Sequence, residues 1–148
     1  MSVDDGLRSL FRKNISDAHW QTIERLLDRG VPDSNVCVDG SDVWIEFKAT
    51  RKWYVRMRPE QVGWLLARER RGGRTVIAVR RRMVAGSPLT DQLWMIRGSA
   101  AAYVQDHGIK GLAGVNAFLG MWEGGPRRWD WSEIREILFY LNRRGEME

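Results

Sequence analysis

Three polar residues have types and spacing suited to chemistry: Asp33, Glu46 and Lys48. Asp33 follows Pro32, and Glu46 and Lys48 lie two apart in Trp44-Ile45-Glu46-Phe47-Lys48. Residues 33–38 and 42–48 read as strands, and Asp39-Gly40 between them is a strong hairpin signal. Val43, Ile45 and Phe47 alternate with Trp44, Glu46 and Lys48, so the last three share one face. With a two-residue turn at Asp39-Gly40, Val38 faces Ser41, Val36 faces Val43 and Asp33 faces Glu46. Residues so opposed have Cβ atoms about 4.5–5.5 Å apart. A four-residue loop sets Asp33 opposite Lys48 instead. Either even register keeps all three side chains together.

Two carboxylates this close repel each other, and three remedies are open. One acid can take up a proton, through a raised pKa. Lys48 can pair with them. A divalent cation can sit between them, and oxygen-only donors suit magnesium or manganese. A lysine beside such an ion orients or deprotonates a water, or stabilises developing negative charge. The ordinary roles are also open: Asp33 as a turn residue, Glu46 and Lys48 as exposed strand neighbours.

Several elements must position these groups. The spacing predicts a helix over 17–29, capped by Ser16 or Asp17, ended by Gly30, with a stripe of Trp20, Ile23, Leu26 and Leu27. Glu24 borders that stripe, where an ionised carboxylate is costly unless paired or metal-bound. Residues 1–15 lack periodicity and read as a short arm or a first helix. Pro59 suits a first helical position, and a helix runs from there to about Arg71, stopped by Gly72-Gly73. Residues 75–79 and 92–96 read as strands, with a loop over 83–91. Helices are expected at 99–106, 111–122 and 131–142, with a Gly-Gly-Pro break at 124–126. The order is that of a mixed α/β sheet domain.

Composition bounds the function. The chain has 148 residues and 43% hydrophobic residues, enough for one domain with a packed core. We expect a single domain over 1–148, its core over about 17–97 and a C-terminal helical extension over about 98–148. No run of about 18 apolar residues predicts a membrane span. One cysteine, Cys37, excludes a disulfide framework or cysteine-rich zinc site, and two histidines, His19 and His107, argue against a histidine-rich metal cluster; a cytoplasmic protein is expected. The net charge of +5 is carried by 20 Arg against 4 Lys, which suits a polyanionic partner or simply a solvated surface.

Gly30-Val31-Pro32-Asp33, then Trp44-Ile45-Glu46-Phe47-Lys48, then Arg58-Pro59-Glu60-Gln61 opening a helix, resemble the PD-(D/E)XK nuclease superfamily. The likeness is nearest to small stand-alone phage and bacterial nucleases of the VRR-NUC and Holliday-junction-resolvase type. It covers about residues 17–82; residues 83–148 have no counterpart. It departs from the family pattern after Asp33, where Ser34 and Asn35 replace apolar residues. The resemblance implies a restriction-endonuclease-like α-β-β-β-α-β core flanked by helices, to which the C-terminal helices read above would be an addition. It implies that Asp33 and Glu46, helped by the backbone carbonyl of Phe47, hold magnesium, for which manganese substitutes. By the same likeness Lys48 positions the attacking water, Gln61 touches the active site or scissile phosphate, and Glu24 is an outer ligand. The implied activity is metal-dependent DNA cleavage, selective for branched or junction DNA, by a homodimer with two sites.

The segment after Lys48 fits such a partner. Arg51, Lys52, Trp53, Tyr54, Arg56 and Arg58 combine phosphate contacts with base-stacking rings. The other reading is a solvated loop whose aromatics cap the core. Arg80-Arg81-Arg82 ends a strand and suits nucleic acid or, as charge runs at element ends commonly do, simply solvent. Arg127-Arg128 suits DNA or a subunit contact, and Trp122, Trp129 and Trp131 suit an interface. Two alternatives to the enzyme stand: a non-catalytic DNA-binding module that keeps the fold, and a mobile-element regulatory factor.

Overall fold

The computed structural model describes residues 4–23, 30–141 and 144. Six strands form one open mixed sheet in sequence order: β1 (His19–Thr22), β2 (Ser34–Val38), β3 (Ser41–Thr50), β4 (Thr75–Arg82), β5 (Asp91–Arg97) and β6 (Phe118–Trp122). Neighbours are antiparallel except β3 and β4. That parallel pair needs a crossover, which α2 (Pro59–Arg70) supplies. The other helices are α1 (Leu7–Asn14), α3 (Ala101–His107) and α4 (Trp131–Tyr140).

Alternation along the strands sends apolar side chains to both faces, and helices cover each. Val43, Ile45 and Phe47 join Val76, Ala78, Leu93 and Met95 beneath α1 and α4. Ile77, Val79, Trp94 and Ile96 pack beneath α2 and α3. On the first face Phe11 meets Phe47 and Trp131 edge-on, with centroids 5.0 and 5.2 Å away.

Two sequence expectations are corrected. Residues 19–22, expected within a helix over 17–29, form β1, an edge strand paired with β2. Trp20 and Thr22 are the half-buried alternate positions, and the Trp20 indole donates to the Ile15 carbonyl. Pairing with β2 and this packing outweigh the helical spacing of Trp20 and Ile23. Residues 24–29 of that expected helix lie outside the described residues. The first helix is instead α1, where Leu7, Leu10 and Phe11 do carry helical periodicity. Residues 111–122 are not a helix either. A 3-10 turn at Leu112–Gly114 leads into β6, which pairs with β5. Gly111, Gly114 and Gly120 each weaken a helix by about 1 kcal/mol relative to alanine, and the sheet claims the apolar residues after them.

The expected helix at 131–142 matches α4 from Trp131 to Tyr140. Its N-cap Asp130 accepts from the Glu133 backbone N–H. Trp122 and Trp129, read as interface residues, are buried in the core, and Trp131 packs against it. Among the described residues, no helix is long and apolar enough to cross a membrane.

Candidate active site

The β2–β3 turn sets the site. Asp39 and Gly40 have φ of 48° and 82°. Two left-handed central residues define the type I′ turn whose twist suits a tight hairpin. The register follows as the sequence predicts: Val38 opposes Ser41 and Val36 opposes Val43. Carried outward, it puts Ser34 against Ile45 and, one residue further, Asp33 level with Glu46. The Phe47 backbone N–H donates to Asp33 Oδ2 at 3.2 Å, which fastens the aspartate to β3. Gly30, at φ 89°, lets this chain segment lie on the start of α2. A Cβ there would stand 2.2 Å from the Glu60 carbonyl oxygen.

Glu46 and Lys48 project from β3 toward α2. Both are buried, at 3% and 7% exposure, and Gln61 from the first turn of α2 is buried at 4%. Lys48 Nζ donates to Gln61 Oε1 at 2.9 Å and lies 3.6 Å from Glu46 Oε2. Gln61 Nε2 donates to Glu46 Oε2 at 3.1 Å. Gln61 Oε1 also accepts the Arg58 backbone N–H at 3.0 Å, capping the helix that Pro59 opens. Both partners of Oε1 can only donate, so the amide orientation is determined. Gln61 therefore clamps the acid and the amine while holding the helix end.

The electrostatics are those of charges withdrawn from water. Burial raises the Asp33 pKa to about 6, against the Phe47 N–H, Arg8 and Ser34, which lower it; Asp4 adds to the rise. Burial also lowers the Lys48 pKa; Glu46 holds it up, Arg58 pushes it further down, and Asp33 supports it. Asp33 Oδ1 is buried and meets no donor in good hydrogen-bond geometry among the described residues, the Ser34 hydroxyl being the side-chain group that favours its ionised form. A buried carboxylate oxygen lacking a donor is costly, and a hard cation is a fitting partner for it. Asp33 and Glu46, with the Phe47 carbonyl that the resemblance implies, would be an oxygen-only donor set of the kind that suits magnesium or manganese. Among the described residues, no group of three or more His, Cys, Asp or Glu side chains is placed to hold a metal. The expected outer ligand, Glu24, lies outside the described residues.

Asp33, Glu46, Lys48 and Gln61 are thus brought together. The connector residues Arg51, Lys52, Trp53, Tyr54, Arg56 and Arg58 are all exposed, while Val55 and Met57 between them are buried. Core packing thus goes to the alternate aliphatic positions, and the cations are left to solvent. Trp53 is intermediate in role: it meets Trp94 edge-on at 6.0 Å yet keeps 40% exposure.

Sequence reasoning missed what holds this segment. Arg81 is buried, donates to the Lys52 carbonyl at 2.7 Å and stacks 3.7 Å from the Trp53 ring. Arg80 forms a two-point pair with Asp91, at 3.0 and 2.7 Å. The basic run at the end of β4 is therefore structural, not solvent-facing, over Arg80 and Arg81. Also missed were Arg8 and Asp4, whose charges act on Asp33. The Leu7, Leu10 and Phe11 spacing signals their helix, but only the tertiary fold sets it beside the hairpin. No protein-family model matches the chain, and no curated protein sequence matches it.

Proposed function

We propose that this protein is a metal-dependent DNA endonuclease that hydrolyses phosphodiester bonds. The observation that carries this reading is the buried Glu46–Lys48–Gln61 network, with Asp33 fastened to the same strand. A protein that only binds DNA gains little from carboxylates facing phosphate. The element order α1-β1-β2-β3-α2-β4, with β3 and β4 parallel, supports the restriction-endonuclease-like core implied by the resemblance.

Asp33, Glu46 and the Phe47 carbonyl would hold magnesium, or manganese in its place. Such an ion neutralises charge on the phosphoryl oxygens and lowers the pKa of its water. The rest falls to the chain. Lys48, kept short of its full basicity by burial, hydrogen-bonds the attacking water and stabilises negative charge as it builds on phosphate. Gln61 aims that ammonium and holds Glu46 in one rotamer. Arg51, Lys52, Arg56 and Arg58 contact flanking phosphates, and Trp53 and Tyr54 offer faces for unpaired bases. Exposed rings beside basic groups suit unpaired bases; that the substrate is branched DNA, including junctions, and that the enzyme is a cytoplasmic homodimer, we propose from the resemblance and the composition alone.

The test is a cleavage panel of linear, flapped, forked and four-way DNAs in magnesium, with and without EDTA. Wild type cuts a branched member and EDTA stops it. Lys48→Ala or Glu46→Ala lowers the rate at least about 100-fold while DNA affinity and the circular dichroism spectrum persist. Full activity in both variants would overturn the assignment. Tight, salt-sensitive binding by wild type without cutting in either metal would leave a binding module.

A further inference from the structure

Arg127 and Arg128 have no part in the site above, yet they do not scatter into solvent. They line a cleft of about 680 Å³ with Lys13 and Arg82, walled by Pro88 and Pro126. The cations come from three distant parts of the chain: α1, the end of β4, and the loop between β6 and α4. Acids near the cleft are already committed. Asp91 is buried and gripped by Arg80 at two points, and Asp5 pairs with Arg82. Lys13, Arg127 and Arg128 are exposed and have no carboxylate partner among the described residues.

The loop bearing the two arginines is fixed. The Gly125 backbone N–H donates to the Asp91 carbonyl at 3.1 Å, as does the indole of buried Trp129 at 3.3 Å. The Trp131 indole ties Pro126 at 2.9 Å. Guanidinium groups on an anchored loop lose less freedom on binding, which favours them as a built site.

The position of the cleft suggests its ligand. Thr50, from which the exposed connector departs, pairs with Arg81, and Arg82 follows at the cleft. Both basic surfaces therefore lie at one end of the sheet. Arg81 points to the α2 face, under Trp53, and Arg82 to the α1 face. A polyanion engaged by the connector can continue around this end.

We infer that this cleft, through Lys13, Arg127 and Arg128, binds the phosphate backbone of nucleic acid, as a second contact for an arm leaving the active site. The choice of ligand rests on the nuclease reading, but its test does not need cutting. Anisotropy of a labelled flapped duplex is followed in EDTA across a salt series, with wild type, Lys13→Ala and Arg127→Ala/Arg128→Ala. Each lost phosphate contact reduces the slope of log K against log salt by about 0.9. The double variant thus loses about two units of slope and binds about 10-fold more weakly at moderate salt. Lys13→Ala, on an exposed helix turn, loses about one unit and decides the matter if the double variant misfolds.

Unchanged affinity and slope in correctly folded variants would overturn the inference, as would failure of wild type to bind DNA. Equal capture of polyglutamate, with the same dependence on these residues, would reassign the cleft to an acidic protein. If wild type shows the predicted dependence but never cuts, the cleft stands and the nuclease reading falls. If it cuts and the variants bind like wild type, the reverse holds.

Discussion

Asp33 shows how the site opposes its own stability. Its carboxyl pKa is raised from 3.8 to about 6, mainly by burial. An acid whose folded pKa exceeds its unfolded one holds its proton more tightly when folded. Stability is then greatest below the unfolded value and falls as pH rises through about 4 to 6. Above that window the ionised group weakens the metal-free fold by a constant amount. Asp33→Asn keeps the shape and removes the charge. In chelator at pH 7 it should raise the melting temperature, and the gain should shrink toward pH 4. An equal gain at both pH values would show that the carboxylate is not responsible. Added magnesium should stabilise wild type at pH 7 and leave Asp33→Asn nearly unmoved. The groups themselves were legible in the sequence because alternation fixes the face of Glu46 and Lys48 directly. The role of Gln61 as a clamp was not, since it depends on the angle at which α2 crosses β3.

At the level of elements, what could be foreseen was local. Asp39-Gly40 states its turn type in two residues, and the pairing of β2 with β3 follows by counting. Pro59 and Gly72-Gly73 bracket α2 equally plainly. What escaped depended on distant partners. Residues 19–22 carry spacing compatible with either a helix or a strand, and only the free edge of β2 decides. Residues 118–122 are likewise drawn into the sheet by β5. The contact of Gly30 with α2 is another such long-range feature, and it carries a prediction. Gly30→Ala sets a methyl against the Glu60 carbonyl at a left-handed φ, so the two segments must separate. We expect a loss of at least about 2 kcal/mol in denaturant unfolding. Cleavage should fall more than DNA affinity does, because Asp33 moves while the connector does not. Wild-type stability and rate in Gly30→Ala would show the approach to be dispensable.

Across the whole molecule, arginine does two jobs that composition cannot separate. Arg80 and Arg81 bind the sheet to neighbouring segments, whereas Arg56, Arg58, Arg127 and Arg128 face outward. The net charge of +5 therefore misstates what is available to a ligand. Asp91→Ala tests the structural share. It strands the Arg80 guanidinium in the interior, and losing one partner of a buried pair costs about 3–5 kcal/mol. Chemical unfolding should record that loss, while Arg127→Ala on the surface changes stability by less than about 0.5 kcal/mol. Comparable small effects from both would refute the division.

β3 spans ten residues, pairs on both sides, and gives Phe47 to one interior and Glu46 and Lys48 to the other. Glu46 and Lys48 are therefore carried by a strand whose backbone is paired on both sides. On the proposed reading Glu46 and Lys48 are catalytic groups held on a central strand, so no partial opening is expected to free either one alone. If that reading holds, loss of cleavage on heating should coincide with loss of the fold.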